Sequence, residues 1–168
     1  MTISMYAACV PVYLRTLTSL DAILDKAVTW ADERKIDHDA LLRARLAPDM
    51  YPLTRQVQIT SDVAKGTAAR LAGVEPPKFE DNEASFADLK ARIAKTIAFL
   101  KSLTPAQIDG SEARTISLKV GPNIMEFQGL NYLLGFGTPN VYFHTSMIYA
   151  ILRHNGLDVG KRDFLGAI

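Results

Sequence analysis

No second cysteine accompanies Cys9, so the chain cannot close an internal disulfide, and its stability has to come from a packed core. A lone thiol in the apolar stretch from Tyr6 to Leu14 reads as a buried, inert side chain and not as a nucleophile. Charge of one sign is also missing. The formal net charge is +1, which gives no electrostatic footprint for nucleic acid, an anionic membrane or an acidic substrate. No basic cluster opens the chain, since the first cationic side chain is Arg15, and no uninterrupted apolar run reaches the roughly 20 residues that span a bilayer. The expectation is a cytoplasmic protein that engages neither membrane nor nucleic acid.

Catalytic signatures are equally scarce. There is no Gly-x-Ser-x-Gly elbow, and no glycine-rich loop between a strand and a helix. Three histidines are present, His38, His144 and His154, and none forms a His-x-x-x-His pair with another. Ser146 lies two residues from His144, on a different side of a helix, where a helix–helix contact is the plainer role.

What is abundant is hydrophobic residue at helical spacing. Apolar residues make up 48% of the chain and charged ones 22%, as in ordinary globular proteins. At 168 residues the expectation is a single domain, 1–168, large enough to bury roughly 70% of the surface its unfolded chain exposes. A first helix is predicted from about Ser4 to Asp32, with Val10, Tyr13, Leu17, Leu20, Leu24 and Ala27 on one face and a kink at Pro11. A connection follows, with a short helical piece at 40–46. A second helix opens near Asp49 as N-cap, buries Leu53, Val57, Ala64, Ala68 and Leu71, and stops at Gly73 before Pro76-Pro77. The third is capped by Ser85 with Asp88 and carries Phe86, Leu89, Ile93, Ile97 and Leu100.

Between residues 114 and 128 the period changes to two. Ile116, Leu118 and Val120 alternate with polar residues, Gly121-Pro122-Asn123 reads as a turn, and Ile124 to Phe127 returns. The fourth helix is expected to open with Thr138 as N-cap and Pro139 at its first position, and to close at Arg153, His154 and Gly156. Phe164 and Leu165 give the tail, 161–168, a reason to pack on the body. The predicted fold is therefore all-α, a four-helix bundle with a small β-hairpin between helices three and four.

In such a bundle, polar side chains on facing helices converge inside. His144 shares an apolar face with Val141, Ile148 and Ile151, so it is either a satisfied core histidine or a ligand. Gln56, Gln58 and Asp62 interrupt the apolar face of the second helix. Tyr142 and Tyr149 stand two turns apart on the fourth, where with Tyr13 and Tyr132 they line a cleft or pack as ordinary tyrosines. Asp21 and Asp25 share a face beside Lys26, and read as a solvated charged surface.

Two stretches resemble a known family. One is Arg45-Leu-Ala-Pro-Asp-Met-Tyr-Pro-Leu53, followed by Gln56 and Gln58. The other runs from Pro139-Asn-Val-Tyr-Phe-His-Thr-Ser-Met147 through Ile151–Gly156 to Gly160–Gly166. Together they resemble an uncharacterised bacterial domain-of-unknown-function family in the DinB/YfiT-like superfamily of metalloenzymes. That resemblance implies a four-helix bundle, often a homodimer, and in many members a nickel or zinc ion held by three histidines. Known relatives include metal-dependent hydrolases and thiol transferases. Carried onto this chain, the three ligand positions fall on His144, on Asn140, and on Gln58, with Gln56 as the other register. One histidine of three remains, and a neutral amide is a poor zinc or nickel ligand.

The reading that follows is a metal-free bundle with no cofactor, whose pocket of Gln56, Gln58, Asp62, Asn140, Tyr142 and His144 binds a small molecule or a partner chain. The alternatives are a nickel- or zinc-dependent hydrolase or thiol transferase built on His144, and a structural dimerisation module. The sequence names no reaction.

Overall fold

A computed structural model describes residues 3–166. Helix α1 runs Met5–Arg34. Its N-cap is Ser4, whose hydroxyl accepts from the Ala7 N–H at 3.1 Å. The helix continues through Pro11, which lies past the first turn and so removes one intrahelical hydrogen bond. All six residues of its predicted stripe are buried. Helix α1 is also more apolar than its stripe alone requires. An 18-residue window has a mean hydropathy of 1.3, and half of that window is buried in the bundle.

Helix α2 is a single turn and a half, His38–Leu42, shorter than the 40–46 piece expected. Helix α3 spans Leu53–Ala72. Asp49 does not cap it. Pro52 holds the cap position in extended conformation with no side-chain bond, and Asp49 lies in the preceding turn. Gly73 ends the helix with φ 71°, a left-handed conformation that favours glycine. Helix α4, Phe86–Ser102, begins as its sequence specifies: Ser85 Oγ accepts from the Asp88 N–H at 3.1 Å, and Asp88 accepts in return from the Ala84 N–H.

A short helix α5, Pro105–Ile108, leads to strands β1, Thr115–Val120, and β2, Asn123–Gln128. They pair antiparallel from Thr115↔Gln128 to Val120↔Asn123. A two-stranded hairpin is marginal alone. This one leans on the bundle through buried Ile116 and half-buried Leu118 and Phe127. Phe127 meets Tyr132 and Phe136 with ring centroids 5.6 and 5.5 Å apart.

Past β2, helical backbone resumes much earlier than Thr138. Helix α6, Gly129–Asn131, runs into a π-helical turn at Tyr132–Gly137 and then into α7, Thr138–His154. Thr138 is therefore an interior helical residue and not an N-cap, and its hydroxyl faces the Tyr13 hydroxyl at 3.1 Å. Helix α8, Lys161–Leu165, packs on α1 and joins it through Lys26 and Asp163 at 2.5 Å. Residues 167 and 168 of the predicted tail lie outside the described residues.

Around the bundle the order is α1, α4, α3, α7 and back to α1, each helix packed on its neighbours. The core joins Leu17, Leu20, Leu24, Val57, Leu71, Leu89, Ile93, Val141 and Ile148, all essentially without solvent exposure. Each such side chain contributes roughly 1.5–3 kcal/mol by leaving water. Because α3 and α7 are adjacent in that ring, side chains on their seam can reach one another.

Candidate functional site

The α3–α7 seam brings two of the expected residues together. His144 lies half-buried on α7, and its Nδ1 is 2.7 Å from Gln56 Oε1 on α3. The amide orientation follows from its other end, where Gln56 Nε2 donates to the Tyr51 carbonyl at 3.2 Å. The oxygen facing the imidazole can only accept, so Nδ1 carries the proton and Nε2 holds the lone pair. Burial pushes the His144 pKa below its ordinary 6.5, and the nearby Arg55 charge lowers it further. The ring is thus held neutral in one tautomer.

The remaining expected residues go elsewhere. Gln58 is buried, but its amide turns to the α3–α4 side. It accepts from Arg55 Nη1 at 3.1 Å and donates to Glu83 Oε2 at 2.8 Å. Asp62 pairs with Lys65 at 2.6 Å and Arg92 at 2.7 Å. Asn140 uses its side chain on its own helix, donating to the Phe136 carbonyl at 2.7 Å in the π-helical turn. Tyr142 is 37% exposed, beside Phe143 at 54%. Two clefts of about 440 and 460 Å³ occur elsewhere, one between the 78–83 segment and α4 and one between α1 and α8, and His144 lines neither. Asp21 and Asp25 grip Lys90 of α4 at 3.0 and 2.7 Å, an ion pair between helices.

Sequence reasoning missed Arg55 and Tyr51. The Arg55 guanidinium lies 6.0 Å from the Tyr51 ring centroid, and pairs with Asp81. The visible signal was their place inside and beside the stretch that carries the resemblance. It also missed Arg92, whose side chain is 1% exposed and holds Asp62, Asp81 and Glu83.

A nickel or zinc centre does not fit these donors. His144 Nε2 is the one imidazole donor of the ligand pattern, and the other two pattern positions are neutral amides already committed to other partners, Gln58 to Glu83 and Asn140 to the Phe136 carbonyl. Among the described residues no three His, Cys, Asp or Glu side chains are grouped as a metal centre requires.

The imidazole assignment makes a direct prediction. Long-range proton–nitrogen NMR will show His144 as the Nδ1–H tautomer, with its titration midpoint below 6.5. A depressed histidine pKa means the unfolded chain binds the extra proton first. The His144 contribution to stability is therefore complete above about pH 6.5 and is lost as pH falls through the folded-state pKa. A midpoint at or above the ordinary value, or an Nε2–H tautomer, would contradict the Gln56 geometry.

The family profile described as Domain of unknown function (DUF1993) matches residues 5–165. Among solved structures, a DinB family member protein from Shewanella denitrificans is 39% identical, with a TM-score of 0.88 over 97% of this chain and 92% of that one. No curated protein matches. A bundle of this helix order, matched along nearly its whole length by both comparisons, belongs to the DUF1993 family, a domain family related to DinB-like proteins.

Proposed function

We propose that this chain is a metal-free, cytoplasmic binding domain that takes a small molecule at the α3–α7 seam. One observation carries the reading. The histidine that matches the superfamily's ligand pattern stands alone, with amides tied to other partners at the remaining pattern positions, where a metal site needs further imidazoles or carboxylates. A single neutral imidazole without further imidazole or carboxylate ligands is a poor host for a divalent ion and a good hydrogen-bonding partner for an organic ligand.

Nothing in the cluster supplies a nucleophile. Ser146 is a helix residue two positions away, and Cys9 is fully buried with its pKa raised to about 12. Binding is therefore the reading that this geometry supports best, ahead of hydrolysis or group transfer.

Elemental analysis tests it. Protein purified without an affinity metal is expected to carry nickel and zinc well below stoichiometry, and to keep its melting temperature when either ion is added. A metal bound one-to-one and lost on His144→Ala would overturn this reading in favour of a metal-dependent enzyme.

A further inference from the structure

The cleft between α1 and α8, about 460 Å³, has walls from two elements that are fixed to each other. Lys26 on α1 binds Asp163 on α8 at 2.5 Å, and the α8 ring of Phe164 meets Tyr149 of α7 edge-on at 6.0 Å. Along α1 the lining residues Arg15, Thr18, Ser19 and Ala22 recur at helical spacing, so they form one strip beside α8, with buried Ile23 next to it. The other wall holds Arg162, Asp163 and Gly166. Gly166 ties the two arginines together in space. Its N–H donates to the Arg162 carbonyl at 3.0 Å, and a Cβ built on it would stand 3.8 Å from Arg15 Cγ.

The polar side chains of this cleft are committed, except for the two guanidiniums. Thr18 and Ser19 donate back to the Leu14 and Arg15 carbonyls of their own helix at 2.8 and 3.0 Å. Asp163 gives Oδ1 to Lys26 and Oδ2 to the Gly160 N–H, the latter at 2.8 Å. Among the described residues, neither the Arg15 nor the Arg162 side chain has a hydrogen-bond or ion-pair partner, and both are exposed. Residues 167 and 168 bring no acidic side chain. Lys26 balances the Asp163 charge, so two uncompensated cations stand over the apolar surface of Ala22 and Ile23. A lone surface arginine is a solvated charge. Two arginines from different elements, lining one concave site with an apolar floor, are arranged to hold an anion that carries an apolar body.

We infer that this cleft binds a small carboxylate with an unbranched apolar tail, its head taken by Arg15 and Arg162 and its tail laid over Ala22 and Ile23. The site is separate from the α3–α7 seam and does not depend on what that seam binds. A planar guanidinium presents parallel N–H groups that match a carboxylate, and the apolar floor favours a ligand with a tail over a bare anion.

Hexanoate is the probe, followed by NMR at the Arg15 and Arg162 Nε–H signals. Saturable shifts at both are expected, with an affinity on the order of 1 mM. Acetate and inorganic phosphate lack the tail and 1-hexanol lacks the charge, and each is expected to bind several-fold more weakly. Arg15→Gln and Arg162→Gln are each expected to weaken hexanoate about tenfold, the size of one charge-assisted hydrogen bond. Both positions are exposed, so the variants are expected to keep the wild-type melting temperature. Lys161→Gln removes a neighbouring cation that does not line the cleft, and is expected to leave binding unchanged. No saturable binding of hexanoate, acetate or phosphate bound as tightly as hexanoate, or an equal loss in Lys161→Gln, would overturn the inference. None of these outcomes bears on the metal content that decides the reading of the α3–α7 seam.

Discussion

Replacing Arg92 with Met is expected to destabilise the protein by about 3 kcal/mol, the low end of what breaking a buried ion pair costs. That corresponds to a melting temperature lower by about 6–12 °C for a chain of this size. The Arg92 side chain is 1% exposed. Nη1 donates to the Glu80 carbonyl at 3.1 Å and to Glu83 at 2.8 Å, and Nη2 reaches Asp62 at 2.7 Å and Asp81 at 3.0 Å. The Phe79 ring lies 5.6 Å from its guanidinium carbon, with Lys65 4.8 Å from the same ring. Four residues among 79–83 thus grip one cation, and that grip holds the α3–α4 connection against the bundle.

Met nearly fills the volume, so the cost is electrostatic. Glu83, with 7% of its side chain exposed, is left without its cation, while Asp62 and Asp81 are exposed enough for water to compensate. Burial alone pushes the Glu83 carboxyl up, but the hydrogen bonds from Arg92 and Gln58 outweigh it and hold the pKa below 4.5. A depressed carboxylate contributes stability above its unfolded pKa and loses it as pH falls through the folded one. The gap between wild type and variant is therefore expected to narrow below about pH 4. Urea unfolding near neutrality and in acid measures both. A loss under about 1 kcal/mol at neutral pH would show that Arg92 is not the clamp.

Gly129→Ala is expected to cost about 3 kcal/mol or more, through overpacking. A Cβ at this position would stand 2.0 Å from the Ser111 carbonyl oxygen and 3.0 Å from its carbon. Both are backbone atoms, so no rotamer change relieves the clash. The opposing segment is itself pinned, with Ser111 N bonded to the Ile108 carbonyl, Arg114 N to the Ser111 carbonyl, and Leu130 N to the Glu112 carbonyl. Gly135→Ala is the control, because a Cβ there meets nothing within 4 Å. It is expected to be neutral, or stabilising by up to about 1 kcal/mol. Thermal unfolding of the pair decides. Equal melting temperatures would mean that 108–114 yields freely and that the close approach has no structural weight.

The bundle was legible because its signals are local and periodic. The stripes of α1 and α3 are buried as spacing predicts, that of α4 is buried except for half-buried Ile97, and Ser85 with Asp88 caps α4 as the pair implies. The hairpin was legible for the same reason, its two-residue period ending at Gly121-Pro122. Errors arose where tertiary contacts override a local preference. Thr138-Pro139 is a good helix start in isolation, yet the chain is already helical from Gly129, because Tyr132 and Leu133 are buried against the bundle. Asp49 lost the α3 cap for a similar reason. Leu53 N donates to the Ala44 carbonyl at 2.9 Å, so the connection itself fixes where α3 begins.

The site was half legible. The ligand pattern implied by the resemblance set His144 with Gln58 and Asn140, and gave Gln56 as the other register; it is Gln56 that meets the imidazole. Helical spacing could not say that Gln58, two residues on, would turn to the α4 side, nor that Asp62 would serve Arg92. Those choices depend on the 79–83 segment, whose fold is set by a long-range ion cluster and carries no periodic pattern.

The π-helical turn ahead of α7 has a consequence for angular phase. A regular helix advances about 100° per residue, so Leu133 and Val141, eight apart, would face directions about 80° apart. Both are nonetheless fully buried. One surplus residue in the turn subtracts about one step and brings them within about 20°. The turn works as a dislocation in a continuous rod, letting two stretches with different phases share one inner face. In an alignment with a relative, a gap opened inside residues 132–137 therefore shifts that phase, and with it the residue of α7 counted as the counterpart of His144.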